Sequence, residues 1–172
     1  MRVFVTGLSK AGKTTRCMHA AQAIPGLQYV SVSQLIRTSG GVLPVVTLAD
    51  GLANQRTASH ALLLHLRSHG NQIIDGHALI ETSEGPLLVP DRFFDELKPD
   101  LLVHVRECPE EILARRSVAA SPSAATEIAT LTELAQAACE RAANRLKISL
   151  LTLQAPTVHG FCLELRGHLS RR

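Results

Sequence analysis

Eight residues near the start of this 172-residue chain, Gly7-Leu8-Ser9-Lys10-Ala11-Gly12-Lys13-Thr14, fit the pattern G-x-x-x-x-G-K-[ST] in full. The flanks constrain the fold as much as the letters do. Met1–Thr6 is a short apolar, β-branched run that reads as a buried strand, and Thr15–Ile24 is rich in helix formers and stopped by Pro25-Gly26. Gly7 and Gly12 let the backbone turn tightly and approach an anion with no side chain in the way. Consecutive N–H groups then face inward, backed by the positive end of the following helix dipole. In such a loop Lys13 reaches the β- and γ-phosphates of a nucleoside triphosphate, and the Thr14 hydroxyl ligates Mg²⁺. Gly7, Ser9, Lys10, Ala11, Gly12, Lys13, Thr14 and Thr15 are therefore the expected nucleotide contacts.

Strands and helices alternate along the rest of the chain, which predicts an α/β fold with a central parallel sheet flanked by helices. Further strands are expected at Leu27–Val32, Asn71–His77, Leu101–Val105 and Lys147–Leu153. Helices are expected over about 33–37, with Ser33 as N-cap, and over 52–69, 90–98, 109–116, 131–146 and the closing stretch to Arg171. The segment Val42–Gly51 reads as a loop or a short helical excursion. Residues 117–129 are small and polar and read as a mobile insertion. No internal repeat is found, and the length suits one domain spanning 1–172.

Composition narrows the function. Aromatic residues are few (no Trp, one Tyr, four Phe) and the net charge is only +3, which argues against a nucleic-acid partner and for an anionic small molecule. Cys17, Cys108, Cys139 and Cys162 are far apart, so neither a zinc site nor a disulfide framework is expected. With no charged leader and no long apolar run, the reading is a cytoplasmic protein outside the membrane.

Asp75 ends an expected strand, where open α/β sheets place their ligands, and there it would hold Mg²⁺ beside Thr14. His77, two residues on, would touch a phosphate or base at the mouth of the site. Phosphoryl transfer also needs cations on the developing charge. The candidates are Arg37 and Arg56, which flank the segment that would cover an acceptor, and Arg115 or Arg116 with Arg141 and Arg145, which flank the small polar insertion. His60, His65 and His69 share a helical stretch and read as a solvated face.

These residues resemble the nucleoside monophosphate kinases, most closely the archaeal-type adenylate kinases. The likeness rests on the glycine loop, on Ile73–Thr82 with Glu84-Gly85-Pro86-Leu87, and on Phe94–Asp100 continuing through Glu110–Arg116. It implies a three-layer P-loop kinase fold that moves a phosphoryl group from MgATP to AMP. Arg37 and Arg56 would grip the AMP phosphate within an acceptor segment of about 33–69. Arg115 would lie beside the adenine, and Arg141 and Arg145 would supply transition-state charge where a lid of about 117–130 returns. Archaeal-type members can assemble as homo-oligomers. The chain departs from the pattern at the lid, which holds no Arg or Lys, and at Val42–Asn54, which matches poorly. A kinase of another small acceptor, or a nucleotide switch acting through a protein or RNA partner, therefore stays open beside the AMP reading.

Overall fold

The first strand, β1 (Arg2–Thr6), is the centre of the molecule. Its middle, Val3-Phe4-Val5, is apolar with both faces covered, as parallel strands require: Phe4 packs to one side, Val3 and Val5 to the other. The computed structural model of the chain describes residues 1–66 and 70–169. After β1 come α1 (Lys13–Ala23), β2 (Leu27–Ser31), α2 (Val32–Thr38), α3 (Leu48–Leu66) and β3 (Asn71–Asp75). A hairpin of β4 (Leu79–Thr82) and β5 (Gly85–Leu88) leads to α4 (Asp91–Leu97) and β6 (Leu101–Arg106). Then follow α5 (Pro109–Arg115), α6 (Pro122–Leu146), β7 (Ser149–Gln154) and α7 (Val158–Leu169).

Five strands form one parallel sheet in the order β2-β3-β1-β6-β7. On one face Cys17 and Ala20 of α1 and Phe161 and Leu165 of α7 meet Val3, Val5 and Val103. On the other, Ala58 and Leu62 of α3, Phe93 and Phe94 of α4 and Ala142 of α6 meet Phe4, Ile74 and Leu102. This is the three-layer α/β arrangement expected from the alternation of elements. Register brings Val5 opposite Asp75, so the end of β3 lies beside the loop that follows β1. Among the described residues no helix is long and apolar enough to cross a membrane.

Local signals correct three sequence expectations. Residues 122–130 are helical, as the first turns of α6. Ser121 caps that helix by accepting from the Ala124 N–H at 3.2 Å, and Pro122 sits at its first position, a start signal hidden in a small, polar stretch. The N-cap of α2 is Ser31, not Ser33. α3 begins four residues before the expected Leu52, because Thr47 and Asp50 close a reciprocal capping box, each N–H bonded at 3.1 Å to the other's side chain. The expected helix through His69, with the His65–His69 pairing, and the final residues to Arg171 fall partly outside the described residues.

Candidate active site

The loop between β1 and α1 is held open by backbone that only glycine takes comfortably. Gly7 has φ +152°, and a Cβ there would come 2.5 Å from the Val105 carbonyl oxygen, a fixed backbone atom. Gly12 has φ +77° at the α1 N-cap, where a Cβ would run into the Arg16 guanidinium. Lys13 is 5% exposed and donates from Nζ to the Leu8 carbonyl at 2.8 Å. Burial pushes its ammonium below the usual lysine range, and the carboxylates of Asp75 and Glu81 pull it back up.

Thr14 Oγ1 donates to Asp75 Oδ2 at 2.6 Å, and Tyr29 OH approaches the same oxygen at 3.4 Å. Asp75 is buried at the carboxyl end of β3. One hydroxyl and one carboxylate are the hard-oxygen pair that a magnesium ion carried on nucleotide phosphates uses, since such ions keep most of their shell as water and phosphate. His77 Nδ1 lies 3.1 Å from the Gly7 carbonyl. A carbonyl only accepts, so Nδ1 carries the hydrogen and Nε2 remains an acceptor. Burial and the Lys13 charge hold the ring down to about 3, so it is neutral at any physiological pH.

Two arginines share one carboxylate on the far side of the loop. Glu107, just after β6 and 7% exposed, accepts from Arg16 at 3.1 Å and from Arg115 at 3.2 Å. Burial pushes its carboxyl up, but these donors and the Cys108 N–H outweigh that and leave it below the usual range. Arg16 also donates to the Ala11 and Pro156 carbonyls, and Arg115 to the Lys10 carbonyl. The network thus ties the loop, α1, α5 and the β7–α7 turn together.

The neighbouring Arg116 points the other way. It grips Glu81 of β4 with two 2.7 Å contacts and donates to the Ser9 carbonyl at 3.1 Å. It lines a cavity of about 510 Å³ whose wall includes Ser9 and Lys10 of the loop, with His77 and Glu81 beside them. The rest is mainly apolar, with Phe4, Ile36, Leu79 and Phe93 among its lining and Leu43–Val45 as its cover. The hairpin turn holds that cover: Ser83 N and Oγ both donate to the Val46 carbonyl, and Glu84 accepts the Leu48 N–H at the start of α3.

The structure does not bring the other sequence-nominated arginines to this cavity. Arg37 is exposed on α2 and bonds Gln34 at 3.3 Å. Arg56 is exposed on α3 and faces a groove toward α4. Arg145 is held by Asp91 and Asp95 of α4, the second contact at 3.0 Å, and Arg141 is exposed on α6 outside the cavity lining. Alternation along a helix sets the face a residue takes, but the sequence carried no sign of which carboxylate each arginine would meet. Glu81, Glu107 and Arg16 were missed for that reason. Only the position of Arg16 within the first turn after the glycine loop hinted at its role.

A protein-family profile described as an AAA domain matches residues 6–132. A search of curated proteins finds no match. Among solved structures, shikimate kinase from Acinetobacter baumannii in complex with shikimate overlays with a TM-score of 0.67 at 17% identity, covering 99% of this chain and 94% of that one. Shikimate kinase from Aquifex aeolicus gives 0.62 at 14% identity, covering 99% and 96%. A sugar kinase from Janibacter sp. gives 0.58 at 19%, covering 98% and 94%. At these identities the likeness carries the fold, that of P-loop kinases, and nothing in it is specific to adenylate kinases.

Proposed function

We propose, for a chain that belongs to the AAA domain family, that it transfers the γ-phosphoryl group of ATP to a hydroxyl of a small-molecule acceptor. The observation that carries this reading is a shared wall: the phosphate loop and the 510 Å³ cavity meet at Ser9, Lys10 and His77, so a donor and an acceptor would lie side by side. In-line transfer depends on such juxtaposition more than on covalent chemistry by the protein.

The roles follow from placement. Gly7 and Ser9–Thr15 would cradle the triphosphate, with Lys13 on the β- and γ-oxygens. Thr14 and Asp75 would hold Mg²⁺, which when bound neutralises charge on the transferred group. Arg115, fixed by Glu107, would steady the donor side of the loop. His77 Nε2 would accept a hydrogen bond from the acceptor's hydroxyl and so orient it; the ring, held down to about 3, would not keep the proton, which would pass to solvent as the oxygen takes the phosphoryl group. Arg116, at the boundary between loop and cavity, would meet charge developing during transfer. Residues 33–69 would form the acceptor side, and 117–130, mostly the start of α6, would border the donor side.

AMP is the less favoured acceptor. The arginine lining the cavity is already bidentate on Glu81, and Arg37 and Arg56 lie outside it. The test is ADP formation from ATP against a panel of nucleoside monophosphates, sugars and hydroxylated ring acids such as shikimate, for the wild type and Lys13→Met. Acceptor-dependent ADP formation that is lost in the variant supports the reading. ATP turnover equally fast with no acceptor present would replace it with a nucleotide switch.

A further inference from the structure

The cavity against the phosphate loop has a neighbour. A second cavity of about 510 Å³ lies between α3 and α4, and Gln55 and Phe93 line both. Gln55 is 9% exposed, and its carboxamide has no hydrogen-bond partner among the described residues. Asn54 beside it shows what a satisfied buried amide looks like here: it accepts from the Val42 N–H at 3.0 Å and donates to the Val42 carbonyl at 2.6 Å. The Gln55 amide instead opens onto the two cavities, where a group entering them can complete its bonds.

Charge is divided between the two chambers. In the first, Glu81 is paired with Arg116, so a substrate anion bound there would have to compete with that carboxylate for it. In the second, Arg92 is engaged by Glu96 at 2.6 Å, while Arg56 has no carboxylate partner among the described residues, and His60 stands one turn along the same helix. We propose that the two cavities form one elongated acceptor site. Its substrate would carry the reacting hydroxyl in the first chamber, a neutral hydrogen-bonding group at Gln55, and an anionic group, carboxylate or phosphate, in the second chamber at Arg56. The chemistry at the hydroxyl end rests on the kinase reading above; the binding does not.

Three probes differing only in the tail test this: 6-hydroxyhexanoate, its methyl ester and 6-hydroxyhexyl phosphate. Binding is followed by NMR titration of the wild type, Arg56→Ala, Gln55→Leu and Arg37→Ala, with ADP formation read in parallel. The expected result is about tenfold tighter binding of an anionic probe than of the ester, the yield of one charge-assisted hydrogen bond. Arg56→Ala should erase that preference, whereas Gln55→Leu and Arg37→Ala should leave it intact, since the probes carry only methylenes between the hydroxyl and the tail. Whether the carboxylate or the phosphate binds tighter identifies the tail. Equal binding of ester and anions, a preference that survives Arg56→Ala, or no saturable binding of any probe overturns the inference. A tail preference without ADP formation sinks the kinase reading alone, whereas ADP formation without a tail preference sinks only the two-chamber site.

Discussion

Arg116 and Glu81 are locked in a bidentate ion pair at the wall of the cavity, with both contacts at 2.7 Å, and the same guanidinium reaches the Ser9 carbonyl. One side chain therefore joins α5, the hairpin and the phosphate loop. Residues 117–130 contain no Arg or Lys, so Arg116 is placed to take the part that lid cations play elsewhere.

Arg116→Met should lower kcat by about 10²–10³, the scale of removing one preorganised charge from a transition state, with little change in KM for ATP. Arg116→Lys should not restore the rate, because an ammonium cannot reproduce the fork that spans Glu81 and Ser9. Steady-state kinetics on both variants decides. A wild-type kcat in Arg116→Met would reduce the residue to a structural strap.

Glu107→Gln strikes the other network. With the shared carboxylate gone, Arg16 and Arg115 lose their common partner beneath the loop, and breaking such a buried pair costs about 3–5 kcal/mol. The melting temperature should fall, and KM for ATP should rise several-fold while kcat moves less. Calorimetric binding of a non-hydrolysable ATP analogue checks the second part apart from turnover.

Thr14→Ala and Asp75→Asn each remove one member of the 2.6 Å pair at the base of the loop. Each should raise the Mg²⁺ concentration needed for half-maximal turnover by about tenfold or more, as loss of a ligand or its support usually does. Chelation of Mg²⁺ should abolish wild-type turnover reversibly. A magnesium dependence unchanged in Asp75→Asn would remove that residue from the metal site.

His104 is fully buried on β6, its Nε2 has no hydrogen-bond partner, and burial holds the ring down to about 4. The unfolded chain takes up a proton there below about pH 6.5, and the folded chain does so only below about pH 4. Folding stability contributed by the neutral ring is therefore present above pH 6.5 and lost as pH falls toward 4, by up to about 3 kcal/mol. His104→Leu should flatten that acid limb and cost little at pH 8, since Nε2 has no partner and Nδ1 gives up only the weak 3.8 Å contact with the Cys139 thiol. Thermal melts of both proteins from pH 8 to 4 give the comparison.

Gly7→Ala should destabilise the chain by about 1–3 kcal/mol and weaken nucleotide binding together, because φ is positive and the Val105 carbonyl cannot move aside. A variant that melts with the wild type would mean the loop relaxes more than its backbone contacts allow.

Much of the architecture was legible in short stretches. Gly7–Thr14 between an apolar run and a helix-forming run carried its own structure, since tight turns and strand periodicity are set by neighbouring residues. The apolar β1, β3 and β6 runs announced a sheet covered on both faces. Where reading failed locally, the signal was present but small: Ser121-Pro122 starts α6 in a stretch that read as a small, polar insertion, and Thr47 with Asp50 starts α3 in one that read as a loop or a short helical excursion.

The site was legible only where it followed the backbone. Asp75 stands at the end of its strand, and parallel register then carries it to Thr14 without further choice. The arginines were different. A long side chain takes its direction from the partner that neutralises it, and Arg116 finds Glu81 35 positions away while Arg16 finds Glu107 across 91. By itself the sequence determined a phosphate loop on a parallel α/β sheet, because those features depend on nearest neighbours and on side-chain alternation. Only the tertiary structure decided which arginines face the cavity, because ion pairs form between elements that packing, not spacing, brings together.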